Sequence, residues 1–181
     1  MLFHLVTNHL VRYTFIGSES GLASALDFRT GQILNRWRAH DSAILKIDAV
    51  DNFLVTSSTD KTVCKWNMDG VEPTLSLKLK GYSEPAANFA GMGGSLLTAS
   101  GSKVAIISLQ QEVCLTASHH TYDPLTSSQT GMMQVNPTKL QNTKSDRITA
   151  MKALSYHRFF VLGTEGSYIT PFLSLLSYTK M

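Results

Sequence analysis

The chain has 181 residues, 43% of them hydrophobic and 16% charged, which excludes a disordered chain and suffices for one domain with a real core. Its formal charge is +3 and no two Lys or Arg residues are adjacent, so it lacks the clustered basic footprint of a nucleic-acid binder. Two cysteines, Cys64 and Cys114, cannot staple a domain of this size and read as reduced thiols of a cytoplasmic protein.

The apolar start at 1–6 lacks a basic n-region and a small-residue cleavage site, so no secretory signal is expected. The apolar stretch at 168–178 is broken by Thr170, Pro171, Ser174 and Ser177, far short of the ~20 residues a spanning helix needs. Ser and Thr together number 38, and β-branched and aromatic residues are spread throughout, a composition that favours pleated sheet and short turns.

Taken in chain order, the elements repeat. Residues 12–21 read as a strand and a turn, 22–28 as a strand, Thr30-Gly31 as a turn and 32–38 as an outer strand. The clearest unit follows. Ala39-His40-Asp41 opens it, 43–47 is a short strand, Asp51-Asn52 a turn and 53–58 a second strand. Thr59-Asp60-Lys61-Thr62 turns the chain into a third strand at 63–67. Met68-Asp69-Gly70 turns it again into an outer strand at 71–80, weakened by Pro73. Downstream, 95–100 aligns with the second strand and 104–109 with the third; residues 159–173 repeat a strand, a turn and a strand. Phe15-Ile16-Gly17-Ser18-Glu19 and Val161-Leu162-Gly163-Thr164-Glu165 match closely at opposite ends of the chain. Short strands with turn chemistry at roughly 8–12-residue spacing mean a sandwich, barrel or propeller, and the recurrence points to stacked blades. The prediction is an all-β partial propeller of about four blades of four-stranded antiparallel sheet, at roughly 1–38, 39–80, 81–116 and 146–174. Residues 117–145, rich in Ser, Thr, Gln and Asn, read as a mobile polar insertion between the third and fourth blades.

The unit at 39–67 resembles a WD repeat. Ala39-His40 stands for the family's Gly-His, Trp66-Asn67 for its Trp-Asp, and Ser57-Ser58-Thr59-Asp60-Lys61-Thr62-Val63 is a near-complete match between them. The resemblance implies a structural hydrogen-bonded tetrad of His40, Ser58, Asp60 and Trp66, with Thr56 on the same strand face as the alternative hydroxyl. A buried indole N–H needs an acceptor, and losing one partner leaves a buried polar group unsatisfied at ~1–3 kcal/mol. The third unit has Gly81-Tyr82 for Gly-His, lacks the turn Asp at Gly101-Ser102, and has Ser108 where the Trp would stand. The fourth keeps Glu165 near its turn and has no Trp. The run at 36–41 and the ending at 158–166 are similar to the C-terminal propellers of BEACH-domain proteins. That likeness implies a scaffold of endosomal and lysosomal membrane traffic, on the cytosolic face of those membranes.

Sharper chemical readings are weaker. His119-His120 has only Asp123 at ligand spacing, which favours a solvated loop over a metal site. His40, Asp60 and Ser58 are the inventory of a hydrolase triad, but each also belongs to the structural tetrad. Cys64 lies in a strand with no partner to activate it. Arg36, Trp37 and Arg38 form the candidate partner contact, an aromatic flanked by arginines on an outer strand. The 117–145 segment is a further candidate for phosphorylation or partner binding. No catalytic, cofactor-binding or metal-binding set emerges. The expected partners are other proteins, with no nucleic acid and membrane association only through partners. A generic adaptor in ubiquitin ligation or chromatin is the alternative, and a propeller enzyme is the least favoured reading. The chain enters partway through a blade and stops soon after a third strand, so it reads as the C-terminal part of a ring, with apolar blade faces left open.

Overall fold

A computed structural model describes residues 6–7, 13–50, 53–68, 73–92, 94–109, 113–114, 132–134, 138–139, 147–154, 159–165 and 169–173. Strands make up its regular structure, in four sheets. Blade 1 is β1 (Val6–Thr7), β2 (Tyr13–Gly17), β3 (Leu22–Asp27) and β4 (Ile33–Arg38), in that order. Blade 2 runs β5 (Ile44–Val50), β6 (Phe53–Ser58), β7 (Val63–Asn67) and β8 (Thr74–Lys80). Blade 3 holds β9 (Asn88–Met92), β10 (Ser95–Ser100), β11 (Lys103–Ser108) and β12 (Val113–Cys114). Two more short strands, β13 (Met132–Gln134) and β14 (Thr138–Lys139), follow. Blade 4 is β15 (Ile148–Leu154), β16 (Phe159–Thr164) and β17 (Ile169–Leu173). The four sheets form an open set, a partial propeller.

The sequence dictates this stacking through its buried strands. A strand covered on both faces reads as a continuous apolar run, because alternate side chains enter two different cores. In β6, Leu54 joins Phe15, Ala23, Ile47, Cys64 and Trp66 in the core between blades 1 and 2. Its neighbour Val55 joins Leu77, Phe89, Leu96 and Ile107 between blades 2 and 3. The same alternation in β10 and β11 sends Leu97, Ala99, Val104 and Ile106 to a third core, with Ile148 and Leu162 of blade 4. Each such aliphatic or aromatic side chain contributes ~1.5–3 kcal/mol on burial.

Backbone and lysine links cross the same gaps. Ile44 N–H donates to Ser18 O at 3.0 Å, and Ile148 N–H to Gly101 O at 2.9 Å, so an inner strand starts on the preceding blade's turn. Lys65, 5% exposed, spans from blade 2 to donate to Leu109 O of blade 3 at 3.0 Å, with its ammonium 4.2 Å from the Phe53 ring centre. Lys46 reaches Phe89 O at 2.6 Å, 3.7 Å from the Asp48 carboxylate. A buried ammonium needs such acceptors, and the aromatic face adds attraction. At Gly91 the inner strands of blades 2 and 3 come so close that a Cβ would collide with Val50.

Residues 117–145 differ from expectation. The range does not lie cleanly between two blades. β14 pairs antiparallel with β11, Val104 opposite Thr138, and so belongs to blade 3. β13 pairs parallel with β8, placing Met132 opposite Lys78 on the outer edge of blade 2. These five residues are sheet, not loop, because backbone pairing needs no apolar periodicity. The rest of that range, with His119, His120 and Asp123, lies outside the described residues. Blade 2 therefore carries a fifth strand, and blade 3 extends beyond residue 116.

Candidate functional site

The residue types that could carry chemistry meet on the blade 1 side of blade 2. Antiparallel pairing sets Leu54 opposite Trp66 and Thr56 opposite Cys64, so Thr56 and Trp66 project from the same face one step apart. Trp66 Nε1–H donates to Thr56 Oγ1 at 3.0 Å, and Thr56 Oγ1 lies 2.7 Å from His40 Nε2. On the other side of the ring, His40 Nδ1 is 3.1 Å from Asp60 Oδ2. The donor order then follows. The Asp60 carboxylate can only accept, so Nδ1 carries the ring N–H and donates toward it, with Thr62 Oγ1 also 3.0 Å away; Nε2 of the neutral ring is then bare and accepts the Thr56 hydroxyl proton. The chain of bonds is directional from indole to carboxylate.

Asp60 is held in turn. Its Oδ1 accepts from the Thr62 hydroxyl at 2.6 Å and from Thr62 N–H at 2.9 Å, and its Oδ2 from Asp41 N–H at 3.1 Å. Burial alone would raise this carboxyl's pKa, but the Thr62 hydroxyl, the His40 ring and the two backbone N–H groups outweigh it and hold the pKa below its ordinary value. His40 is 2% exposed, and burial pushes its pKa down against the pull of Asp60, which agrees with a neutral ring. The turn that carries Asp60 places Lys61 at φ 64°, a left-handed conformation unusual for a side-chain-bearing residue.

The linking hydroxyl is Thr56, not Ser58. Ser58 sits two residues on, at the turn, where its Oγ donates to Ser42 O at 3.1 Å and accepts from Asp60 N–H at 3.1 Å. Strand alternation puts both hydroxyls on one face; only the β6–β7 register decides which meets the indole. His40 enters from the blade 1 side. Its N–H and that of Ala39 donate to Gly21 O, and a Cβ at Gly21, φ 82°, would strike His40 O. The tetrad thus fastens the inter-blade link to blade 2.

Trp37 corrects the partner-contact expectation. It turns inward, packing edge-on against Trp66 with ring centres 6.0 Å apart at 64°, a contact worth ~0.5–1.5 kcal/mol beyond burial. Its arginine neighbours, one residue either side, point to the opposite face and stay exposed. Arg38 donates to Ser20 O and His40 O, and Arg36 borders a groove with Ile16, Leu22, Leu26 and Ile33.

Blade 3 repeats the pattern without the Trp. Tyr82 takes the His40 position and its hydroxyl lies 3.0 Å from Thr98 Oγ1, the counterpart of Thr56. Ser100 Oγ donates to Glu84 O at 2.7 Å, as Ser58 does to Ser42. The residue in the Trp66 place is Ile107, not Ser108. The turn joining β10 to β11 is one residue shorter than that joining β6 to β7, so Leu96 faces Ile107.

The hydroxyls that reach His40 among the described residues, those of Thr56 and Thr62, are buried and taken up by bonds to Trp66 and Asp60. Ser58 is engaged elsewhere, and the Cys64 thiol, 1% exposed, is pushed up to about 12 by burial. Among the described residues no cluster of three His, Cys, Asp or Glu could hold a metal ion.

Four stacked blades and an indole–hydroxyl–imidazole–carboxylate chain define a WD-repeat β-propeller. No protein-family model matches the chain. It is 28% identical over 158 residues to the probable inactive serine/threonine-protein kinase lvsG of Dictyostelium discoideum, covering 84% of this chain and 7% of that protein. It is 36% identical over 100 residues to human WD repeat-containing protein 81, covering 54% of this chain and 5% of that one. The chain therefore spans a small part of these relatives. Among solved structures, the β-propeller domain of Myceliophteria thermophila Cps50 (Swd1) superposes with a TM-score of 0.67 at 10% identity, over 92% of this chain and 49% of that one.

Two predictions follow from the tetrad. Thr56→Val leaves the Trp66 N–H and His40 Nε2 unpaired, so it should cost ~1–3 kcal/mol and shift the Trp66 indole proton resonance, whereas Ser58→Ala should leave that resonance in place. Because the His40 pKa is depressed in the folded state, its contribution is complete above the unfolded value near 6.5 and is lost as pH falls from there toward the folded value. Urea midpoints at pH 7.5 and 5.5 should show a loss of stability in the parent that is smaller in His40→Asn.

Proposed function

We propose that the chain is a non-catalytic, protein-binding scaffold of endosomal or lysosomal membrane traffic, acting on the cytosolic face of those membranes. The observation that carries this reading is the fate of its reactive residues. His40, Asp60, Ser58 and Cys64 are consumed by structure, while apolar and cationic side chains remain outside. Phe28 is 69% exposed, Ile33 50% and Leu34 49%, and Ile33 borders the same groove of blade 1 as Arg36. Exposed apolar patches rimmed by polar groups are the physics of an interaction surface. The traffic assignment draws on the likeness of the 36–41 and 158–166 runs to BEACH-type propellers. Among the described residues no helix is long and apolar enough to cross a membrane, and membrane association would come through partners. The adaptor alternative, in ubiquitin ligation or chromatin, would use the same kind of surface.

Affinity capture from cells, sorted by compartment, tests this. Endosomal and lysosomal surface proteins should be enriched, and Ile33→Asp with Arg36→Glu should reduce their recovery several-fold. Enrichment of nuclear or ubiquitin-ligase proteins instead would favour the adaptor.

A further inference from the structure

The outer strand of blade 3 is interrupted. β12 and β14 lie on the same edge of β11 in one antiparallel sense, Cys114 opposite Ile107 and Thr138 opposite Val104. Two positions of β11, Ala105 and Ile106, separate those partners, so two residues would join the pieces into one strand. The chain spends 23, from 115 to 137. Three of these form β13, on the edge of a different blade. Its pairing is parallel, unlike every other pairing among the described residues, and spans three residues. Parallel pairs are slightly weaker per residue, and so short a strand is a weak occupant.

The edge it occupies is longer than it is. β8 begins at Thr74, whereas β13 covers only Lys78, Leu79 and Lys80. Thr74 and Leu75 beside the covered stretch are exposed. Leu77 and Leu79 point into the core between blades 2 and 3, leaving Lys78 and Lys80 to the side chains of an added strand. Lys61 borders the same hollow as Lys78 and Lys80, as do Asp41 and Asp60, so three cations and two carboxylates line it. Among the described residues neither Lys78 nor Lys80 has an ion-pair partner, and Met132-Met133-Gln134 brings no carboxylate. An uncovered sheet edge accepts an extended peptide through main-chain hydrogen bonds, with side chains setting preference.

We propose that the β8 edge of blade 2 is a strand-addition site for an extended, acidic segment of a partner protein, and that Met132–Gln134 is a built-in competitor for it. This deepens the scaffold reading and rests on it. The shared chemistry is backbone pairing; carboxylates at alternate positions would meet Lys78 and Lys80, to which the internal strand Met132-Met133-Gln134 brings none.

The test uses two released chains. In one, residues 115–137 are replaced by Thr-Val; in the other, Met132→Pro and Met133→Pro remove the pairing and keep every other residue. Two fluorescent peptides serve as probes: one copies residues 130–136, the other is Thr-Glu-Val-Glu-Val-Glu-Thr. Both released chains should bind the copied peptide at least tenfold more tightly than the parent, and the acidic peptide more tightly still. Lys78→Glu with Lys80→Glu should reverse the order of the two peptides. Cooperatively melting released chains that bind neither peptide better than the parent would overturn the proposal, as would an unchanged peptide order in the Lys-to-Glu chain. If only one released chain melts cooperatively, it decides. Loss of cooperative melting in both would show β13 to be an integral strand and overturn it equally. Peptide binding as expected, together with no protein captured from cells, would count against the scaffold reading alone.

Discussion

A single hydroxyl organises this structure. Thr56 accepts the Trp66 indole proton and gives its own to His40, and no residue lacking both capacities could stand there. A valine would match its shape and strand propensity, yet strand two buried polar groups. Because the bonds run in one direction, each fixes the next: the indole orients the hydroxyl, the hydroxyl proton meets the bare Nε2, and Nδ1 presents its N–H to Asp60. Asp60 then holds the Thr59–Thr62 turn and the Asp41 backbone. The same indole meets Trp37 from blade 1. Packing between blades and pairing within a blade therefore converge on one side chain.

Blade 3 shows what part of that device is general. A loop residue reaches a buried threonine in both blades, through His40 in one and Tyr82 in the other. A serine at the end of the second strand ties down the preceding loop in both. The Asp60 carboxylate and the Trp66 indole have no counterpart in the matching turn and strand of blade 3. Ile107 replaces the indole without penalty because an aliphatic side chain brings no donor to satisfy, and it is fully buried. Two lysines, Lys65 buried and Lys46 half-buried, give the stack further polar specificity, since each reaches a carbonyl of the neighbouring blade.

Much of this was legible in the amino-acid sequence, and what was not has definable causes. His40, Asp60 and Trp66 announce themselves by type and spacing, because the hydrogen-bonded chain requires those groups at those distances. Strands in all four blades follow from apolar runs bounded by turn residues, but β1, β9, β12 and β15 were not legible as strands. The choice between Thr56 and Ser58 was hidden, since both share a face and only cross-strand register separates them. Trp37 misled through its neighbours: arginines on both sides suggest exposure, but in a strand the middle residue faces the other way. Ile107 was displaced from expectation by one residue of turn length. β13 and β14 were invisible because edge pairing is made by backbone, and their composition resembles a polar loop.

The central claim is that Asp60 and Trp66, which share no bond, act as one unit through His40 and Thr56. A double-mutant cycle of Asp60→Ala and Trp66→Phe, followed by urea denaturation, measures this directly. The relay predicts a coupling of at least ~1 kcal/mol between them, whereas additivity within ~0.5 kcal/mol, as for independent sites, would contradict it.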